Sequence, residues 1–356
     1  MDICHVVILD VLHKVNGSRR SSGIYYILTG KKTSQSLSDS QWFGVEHYYA
    51  ALKGLTYADF TEKIENLLNE KWVTSIEDQV YKVSRQGEQV LLIEKKKLSF
   101  LKNLNGLKYT SIESLCWHVL TLYVQALSNS LYGNLEYSPI VRDHRAVQKV
   151  KSIFPRSKTE RKEKAESLYR EMSQLLLNLD RLSVDVFVRK LSGYNRIGST
   201  FEQIARETDI SQRETILRFR SVLHAIIYNS VVKHQEFPVF HSLFCSFTDL
   251  PALTKSALRT YEMLNNGKTL QQIMELRNIK ASTIEDHLVE FAREISEFSI
   301  HPFIDEEEIQ EVKKFYNSTK ENRLRPFKDA FPHLSYLQIR LVLAKEGGNY
   351  AAGSSA

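Results

Sequence analysis

The chemistry this chain offers is charge neutralisation, and it is concentrated in one stretch. Between positions 142 and 164 stand Arg142, Arg145, Lys149, Lys151, Arg156, Lys158, Arg161, Lys162 and Lys164 against Asp143, Glu160 and Glu163. That surplus of six equals the +6 of the whole 356-residue chain, so the rest is close to neutral. Closely spaced guanidinium and ammonium groups attract a polyanion and displace its counterions, so the stretch reads as a phosphate-contacting surface. A solvated linker between helices explains the same run of charge. A smaller cluster, Lys31-Lys32-Thr33-Ser34 after Gly30, sets two cations and two hydroxyls where a helix begins. That is either an anion site or a pair of N-caps.

Other chemistries fall away on spacing. A phosphate-wrapping loop needs a glycine five residues before the one preceding lysine, and position 25 is Tyr, so Gly30-Lys31-Lys32-Thr33 cannot wrap a triphosphate. The histidines are scattered and form neither a metal-site nor a hydrolytic spacing. Cys4, Cys116 and Cys245 are too far apart for a zinc knuckle or redox pair and read as thiols of a reducing compartment. No catalytic residue, metal or cofactor is expected, and the chain is read as a non-enzyme. The start lacks a secretory profile, and no apolar run approaches the roughly 18 residues of a membrane span. A cytoplasmic, nucleoid-associated protein without membrane contact is the expectation. With 42% hydrophobic and 25% charged residues, the chain has the composition of an ordinary globular protein long enough for two or three domains.

The elements that must carry these charges are mainly helical. Ile24, Tyr25, Ile27 and Leu28 end at Gly30, and a helix carrying Leu37 follows. A further helix starts at Thr56 with Phe60, Ile64, Leu67 and Leu68 on one face. Trp72-Val73, a polar tip and Val80-Tyr81-Lys82-Val83 predict a hairpin wing. Ser84-Arg85-Gln86-Gly87 then opens a helix with Val90, Leu91 and Leu92 facing inward. Trp42, Tyr48 and Tyr49 fit either core packing or base stacking. Positions 112–131 predict a buried helix, the basic stretch crosses Pro155 into a helix from Thr159 to about Asn178, and a short helix covers Leu182–Leu191.

An internal repeat follows. Thr200-Phe201-Glu202-Gln203-Ile204, Ile210 and Phe219 align at an offset of 69 with Thr269-Leu270-Gln271-Gln272-Ile273, Ile279 and Leu288. Each copy reads as a helix-turn-helix, the second the better match because Thr215 stands where Ile284 falls. A plain helical hairpin remains open for both. Breakers between His234 and Pro251 mark a boundary. The expected layout is a winged helix at 1–97, a helical middle domain at 98–235 with a helix-turn-helix-like unit at 199–228, a linker at 236–252, a helix-turn-helix domain at 253–346 and a tail or tag remnant at 347–356.

Thr260, Leu264, Gly267-Lys268-Thr269-Leu270, Ile273, Arg277, Thr283-Ile284, His287-Leu288 and Arg340-Leu341-Val342-Leu343 resemble the helix-turn-helix domain found C-terminal to some RecQ-type helicases. Leu28-Thr29-Gly30, the Phe60–Leu68 helix and Tyr81–Gly87 resemble the RQC winged helix of the same enzymes. The whole chain is similar to the YpbB family, whose members are encoded beside a short RecQ-type helicase that ends before its RQC region. The resemblance implies a partner that supplies these modules in trans, in DNA repair or recombination. The chain departs from it in lacking clustered zinc cysteines and in its acidic helices.

Two readings follow. In the first the protein is a DNA-binding accessory subunit gripping forked, duplex or single-stranded DNA through Lys31, Lys32, Thr33, Ser34, Arg85, the basic stretch and Arg213, Arg218 and Arg220. In the second it is a docking scaffold whose Glu285, Asp286 and Glu290 face a basic surface of the helicase, because acidic recognition helices lack the donors that base reading needs. A transcription regulator is a more distant alternative.

Overall fold

Hydroxyl and carboxylate caps decide where the helices of this chain begin. Thr33, Thr56, Ser84, Ser157, Asp180, Thr200, Ser211, Thr254 and Thr269 each accept a hydrogen bond from a first-turn amide, satisfying donors that the helix itself cannot. The computed structural model describes residues 1–134, 136–248, 253–319 and 324–353, without the side chains of Ser34, Lys97 and 347–353.

The first unit comprises α1 (Ile3–Val15), α2 (Ser21–Thr29), α3 (Ser34–Trp42), a 3-10 turn at Glu46–Tyr48, α4 (Tyr57–Asn69), strands β1 (Val73–Glu77) and β2 (Val80–Val83), and α5 (Arg85–Lys97). The strands are antiparallel, Val73 opposite Val83 and Ser75 opposite Tyr81, with a bulge between Ser75 and Glu77. This is the expected arrangement of helices and a hairpin wing, packed around the almost wholly buried α1. Of the three residues of α5 expected to face inward, Leu91 is buried, Val90 is half-buried and Leu92 is 64% exposed. One face of α5 suffices to cover the core, and Leu92 lies outside it.

Gly87 is required where α5 meets the wing. A Cβ there would lie 2.1 Å from the Trp72 carbonyl oxygen, which accepts from the Ser84 amide at 2.9 Å. Gly87→Ala should therefore cost about 1–3 kcal/mol by overpacking. Chemical denaturation reads the loss, and a variant as stable as the parent would refute this account of the wing base.

The middle unit comprises α6 (Gly106–Tyr109), α7 (Glu113–Leu131), α8 (His144–Ile153), α9 (Lys158–Leu176), α10 (Arg181–Arg189), α11 (Phe201–Thr208), α12 (Gln212–Val232) and α13 (Pro238–Thr248). The last of these corrects the expected linker. Val239, Phe240, Leu243 and Phe244 of α13 are buried in the middle core, and the amides of Val239 and Phe240 donate to the Glu171 carboxylate. Proline at the first position starts this helix because its missing N–H would have had no helical partner there.

The third unit comprises α14 (Lys255–Asn265), α15 (Leu270–Arg277), α16 (Ala281–Glu294), α17 (Glu306–Thr319), α18 (Leu324–Ala330) and α19 (Tyr336–Gly353) around its own core. α19 runs as helical backbone into the expected tail. The chain is mainly α, as its sequence patterning predicts. No helix among the described residues is long and apolar enough to cross a membrane.

Candidate nucleic-acid interface

Both copies of the internal repeat fold alike. Each first helix opens with a reciprocal capping box, Thr200 with Gln203 and Thr269 with Gln272. Each ends in a left-handed residue, Asp209 (φ 54°) and Asn278 (φ 48°), after which the Ile210 amide donates to Ala205 O and the Ile279 amide to Met274 O. Asp and Asn tolerate this conformation better than most residues, which fixes the turn between the two helices.

The second helices do not present their cations or acids as the sequence suggests. α12 is the central rod of the molecule. Leu217 belongs to the core of the first unit, while Phe219, Val222, Leu223, Ile226 and Ile227 belong to that of the middle unit. Arg218 is buried, with Nη1 2.6 Å from Asp180 Oδ2, Nη2 2.7 Å from Glu214 Oε1 and its guanidinium over the Phe100 ring. Arg220 is also buried. It donates from Nε to Glu113 Oε2 at 2.9 Å, from Nη1 to Ala50 O at 2.6 Å and from Nη2 to Thr110 Oγ1 at 3.2 Å. Arg213 is half-buried and lines a recess with Ala51, Lys53 and Glu113. Arg218 and Arg220 are thus structural, and Arg213 lies against the first unit instead of standing on a free surface. A helix with apolar residues on every side must be central, and its arginines then require buried partners.

His224 belongs to the same junction. Its Nδ1 accepts from the Asn105 amide at 3.0 Å, which leaves Nε2 to donate to Glu113 Oε2 at 2.9 Å. Burial pushes the imidazole below its usual pKa. Burial alone would raise that of Glu113, but hydrogen bonds from His224 and Arg220, with the guanidinium charge, bring it below the ordinary carboxylate range.

The acidic helix α16 needs a similar correction. Glu290 is 5% exposed and accepts from the Thr254 amide and from Thr254 Oγ1, holding the start of α14. Asp286 is paired with Arg340 at 2.6 Å, and Glu285 is half-buried. Glu290 therefore cannot face a partner. Of the two acidic helices, α4 before the wing is the exposed one: Asp59, Glu62 and Glu65, with Glu70 at its end, all stand in solvent.

The start of α3 is engaged with its own surroundings although Lys31 and Lys32 remain exposed. Lys31 lies 4.0 Å above the Tyr26 ring, and Lys32 points toward Glu290 and Glu294 of α16, where desolvation lowers its pKa. Thr33 Oγ1 accepts from the Ser36 amide, and Ser36 Oγ accepts from the Thr33 amide while donating to Lys31 O at 2.6 Å. A first-turn amide that an anion would use is already taken. The Ser34 side chain lies outside the described residues. Trp42 packs against the C-terminal core and Tyr48 and Tyr49 are buried, so these aromatics are packing residues.

Where α16 and α19 meet α3 there is a groove of about 1200 Å³. Most of its charges cancel in pairs, Arg19–Asp39 at 2.9 Å, Arg293–Glu294 at 2.8 Å and Arg340–Asp286 at 2.6 Å, and Glu46 and Lys108 balance in sign. It is not a polyanion cradle.

The basic stretch is different. Ala146, Val147, Val150 and Ile153 anchor α8 to α7 and the middle core, which turns the intervening cations outward. Arg142, Arg145, Lys151, Arg156, Lys158 and Lys162 are exposed, and none of them has an ion-pair partner within 4 Å among the described residues. Lys149 is half-buried with its ammonium 5.9 Å from the Phe247 ring. Arg161 lies over Phe154 and donates to the Pro155 and Arg156 carbonyls, shaping the turn between α8 and α9. Asp143 and Glu160 are spent on capping α8 and α9. Arg85 is exposed at the wing base. Of the cations suggested by sequence, those of α8 and the start of α9 form the main group that is exposed without ion pairs, close together in the chain, and Arg85 stands apart at the wing.

An exposed feature was missed by charge and periodicity alike. Tyr132 and Tyr194, 62 positions apart in the chain, stack with ring centroids 4.4 Å apart and planes 12° apart. The glycines beside them, Gly133 and Gly193, are the only local signal.

Residues 256–343 match a family described as a helix-turn-helix domain. The chain is 27% identical over 347 residues to Protein YpbB of Bacillus subtilis (strain 168), covering 97% of this chain and 98% of that protein. No solved structure matches it.

Proposed function

From a chain similar to YpbB along nearly its whole length, with a helix-turn-helix domain at its C-terminal end, we propose a non-catalytic DNA-binding accessory subunit of a short RecQ-type helicase. The observation that carries this reading is the unpaired basic surface of α8 and the start of α9. Cations without a close ion pair can meet phosphate directly, whereas paired ones would first have to be released. The winged and helix-turn-helix units serve here as scaffold more than as readers. Their second helices are buried, or acidic where they are exposed, so grip comes from backbone contacts and carries little sequence preference. The helicase supplies ATP hydrolysis, and this chain adds hold on DNA in trans.

Titrating the chain against duplex DNA at increasing salt tests the grip. With about five phosphates neutralised, log affinity should fall against log salt with a slope near −4.5, a loss of about 500-fold between 50 and 200 mM. A flat response would remove the basic surface from the account. Unwinding by the helicase with and without this chain tests the partnership, and identical rates and processivity in both arms would sink it.

A further inference from the structure

We propose that the Tyr132–Tyr194 pair is a stacking platform for unpaired bases, with Arg142, Arg145 and Arg196 holding the phosphates of the same strand. This rests on the nucleic-acid reading above and adds where bases, as distinct from phosphates, are held.

The platform is built and not incidental. Tyr132 caps the C-terminal end of α7, its amide donating to Ser128 O. Tyr194 sits in a tight loop closed by reciprocal bonds between Gly193 and Arg196, with Asn195 left-handed at φ 51°. The Tyr194 amide donates to Ser128 Oγ at 2.9 Å, which ties this loop to the last turn of α7. The backbone segments that carry the two rings are thereby held, the rings already meet each other in the free protein, and Tyr132 is 70% exposed. Part of the ordering cost is thus met in the free protein, a condition that favours binding on an aromatic face. Every base offers a π-face, so such a pair is sequence-tolerant.

The charges continue from this point. Arg196 is exposed at the loop tip and has no ion pair among the described residues. In the other direction the chain returns along α7, pinned by Gln125, whose Nε2 donates to Ser138 O at 3.1 Å and whose Oε1 accepts from the Ile140 amide at 2.9 Å. It reaches Arg142 and Asp143 beside His118, 3.8 Å from Asp143. From position 118 to 132 along α7 is roughly 21 Å at 1.5 Å per residue. That matches the shortest single-strand sites, about four nucleotides. Between positions 131 and 142 the sole acid is Glu136. A wholly apolar protein partner would leave Arg142 and Arg196 without a counter-charge, whereas a nucleic-acid strand satisfies rings and cations together.

The test uses the full-length chain, with fluorescein-labelled oligothymidylate and a blunt duplex of equal length as probes, both followed by anisotropy. Tyr132→Ala should weaken the single strand about 5- to 150-fold and leave duplex affinity unchanged, while Tyr132→Phe behaves as the parent. Because Tyr132 is largely exposed and loses only its contact with Tyr194, the thermal midpoint should fall by no more than a few degrees, and measuring it separates lost stacking from lost folding. Unchanged oligothymidylate affinity in Tyr132→Ala, or an equal loss for both probes, would overturn the platform while leaving the basic surface intact. If the parent chain binds neither probe at low salt, the nucleic-acid reading fails and takes the platform with it.

Discussion

Arg220→Ala is expected to lower stability by about 3–5 kcal/mol without altering the salt dependence of DNA binding by the folded fraction. The guanidinium joins three pieces of chain: Glu113 of α7, the Ala50 carbonyl of the first unit, and Thr110. Removing it leaves the half-buried Glu113 carboxylate with His224 alone and takes from the Ala50 carbonyl its short side-chain donor, so a charge desolvated at the junction loses its cationic partner. Denaturant unfolding at neutral pH is the measurement. A loss below about 1 kcal/mol, the range of exposed ion pairs, would mean that the junction is solvated. Arg218→Ala should cost less, since the carboxylates it leaves, exposed Asp180 and half-buried Glu214, can turn to water.

Replacing Arg145, Lys151, Lys158 and Lys162 together by glutamine should produce the largest change in DNA affinity. If each contacts one phosphate, the slope of log affinity against log salt falls by about 0.9 per residue, from near −4.5 to near −1. At ~50 mM salt the affinity should drop by more than 100-fold, while stability stays within about 0.5 kcal/mol because these side chains are exposed and unpaired. Duplex titrations of parent and variant over a range of salt decide it. Parallel slopes would show that the phosphates are held elsewhere, and Arg85 at the wing would be the next residue to examine.

Much of this architecture is legible in the sequence, for identifiable reasons. Capping signals at Thr56, Thr200 and Thr269 precede regular apolar periods, so the helices they start are found where expected. The wing is visible as two short β-branched runs around a polar tip. The 69-residue repeat is readable because each copy needs a Thr cap and apolar residues at the same helical spacing, while the αL residues of the turns, Asp209 and Asn278, emerge only in the structure. What sequence does not reveal is which charged residues are free. Arg218 and Arg220 look like a basic recognition helix, yet their partners Asp180, Glu214 and Glu113 are 4 to 107 positions away in the chain. Glu290 is concealed in the same way by Thr254. α13 escapes because its breakers, Pro238 and Pro251, sit at or beyond its ends, where proline signals a boundary and also permits a helix to begin. The tyrosine platform escapes because stacking between Tyr132 and Tyr194 is a tertiary contact with no periodic trace.

α12 contributes side chains to the cores of both the first and the middle units, and its polar groups are tied to Phe100, Asn105 and Glu113. The wing and the basic helices are therefore bolted to one shaft. In the proposed role, a load on the hairpin would reach α8 and α9 through α12 and the helices packed on it. Excising residues 1–97 as a stand-alone piece would leave the socket of Leu217 open to water, so this molecule is better dissected by point substitution than by truncation.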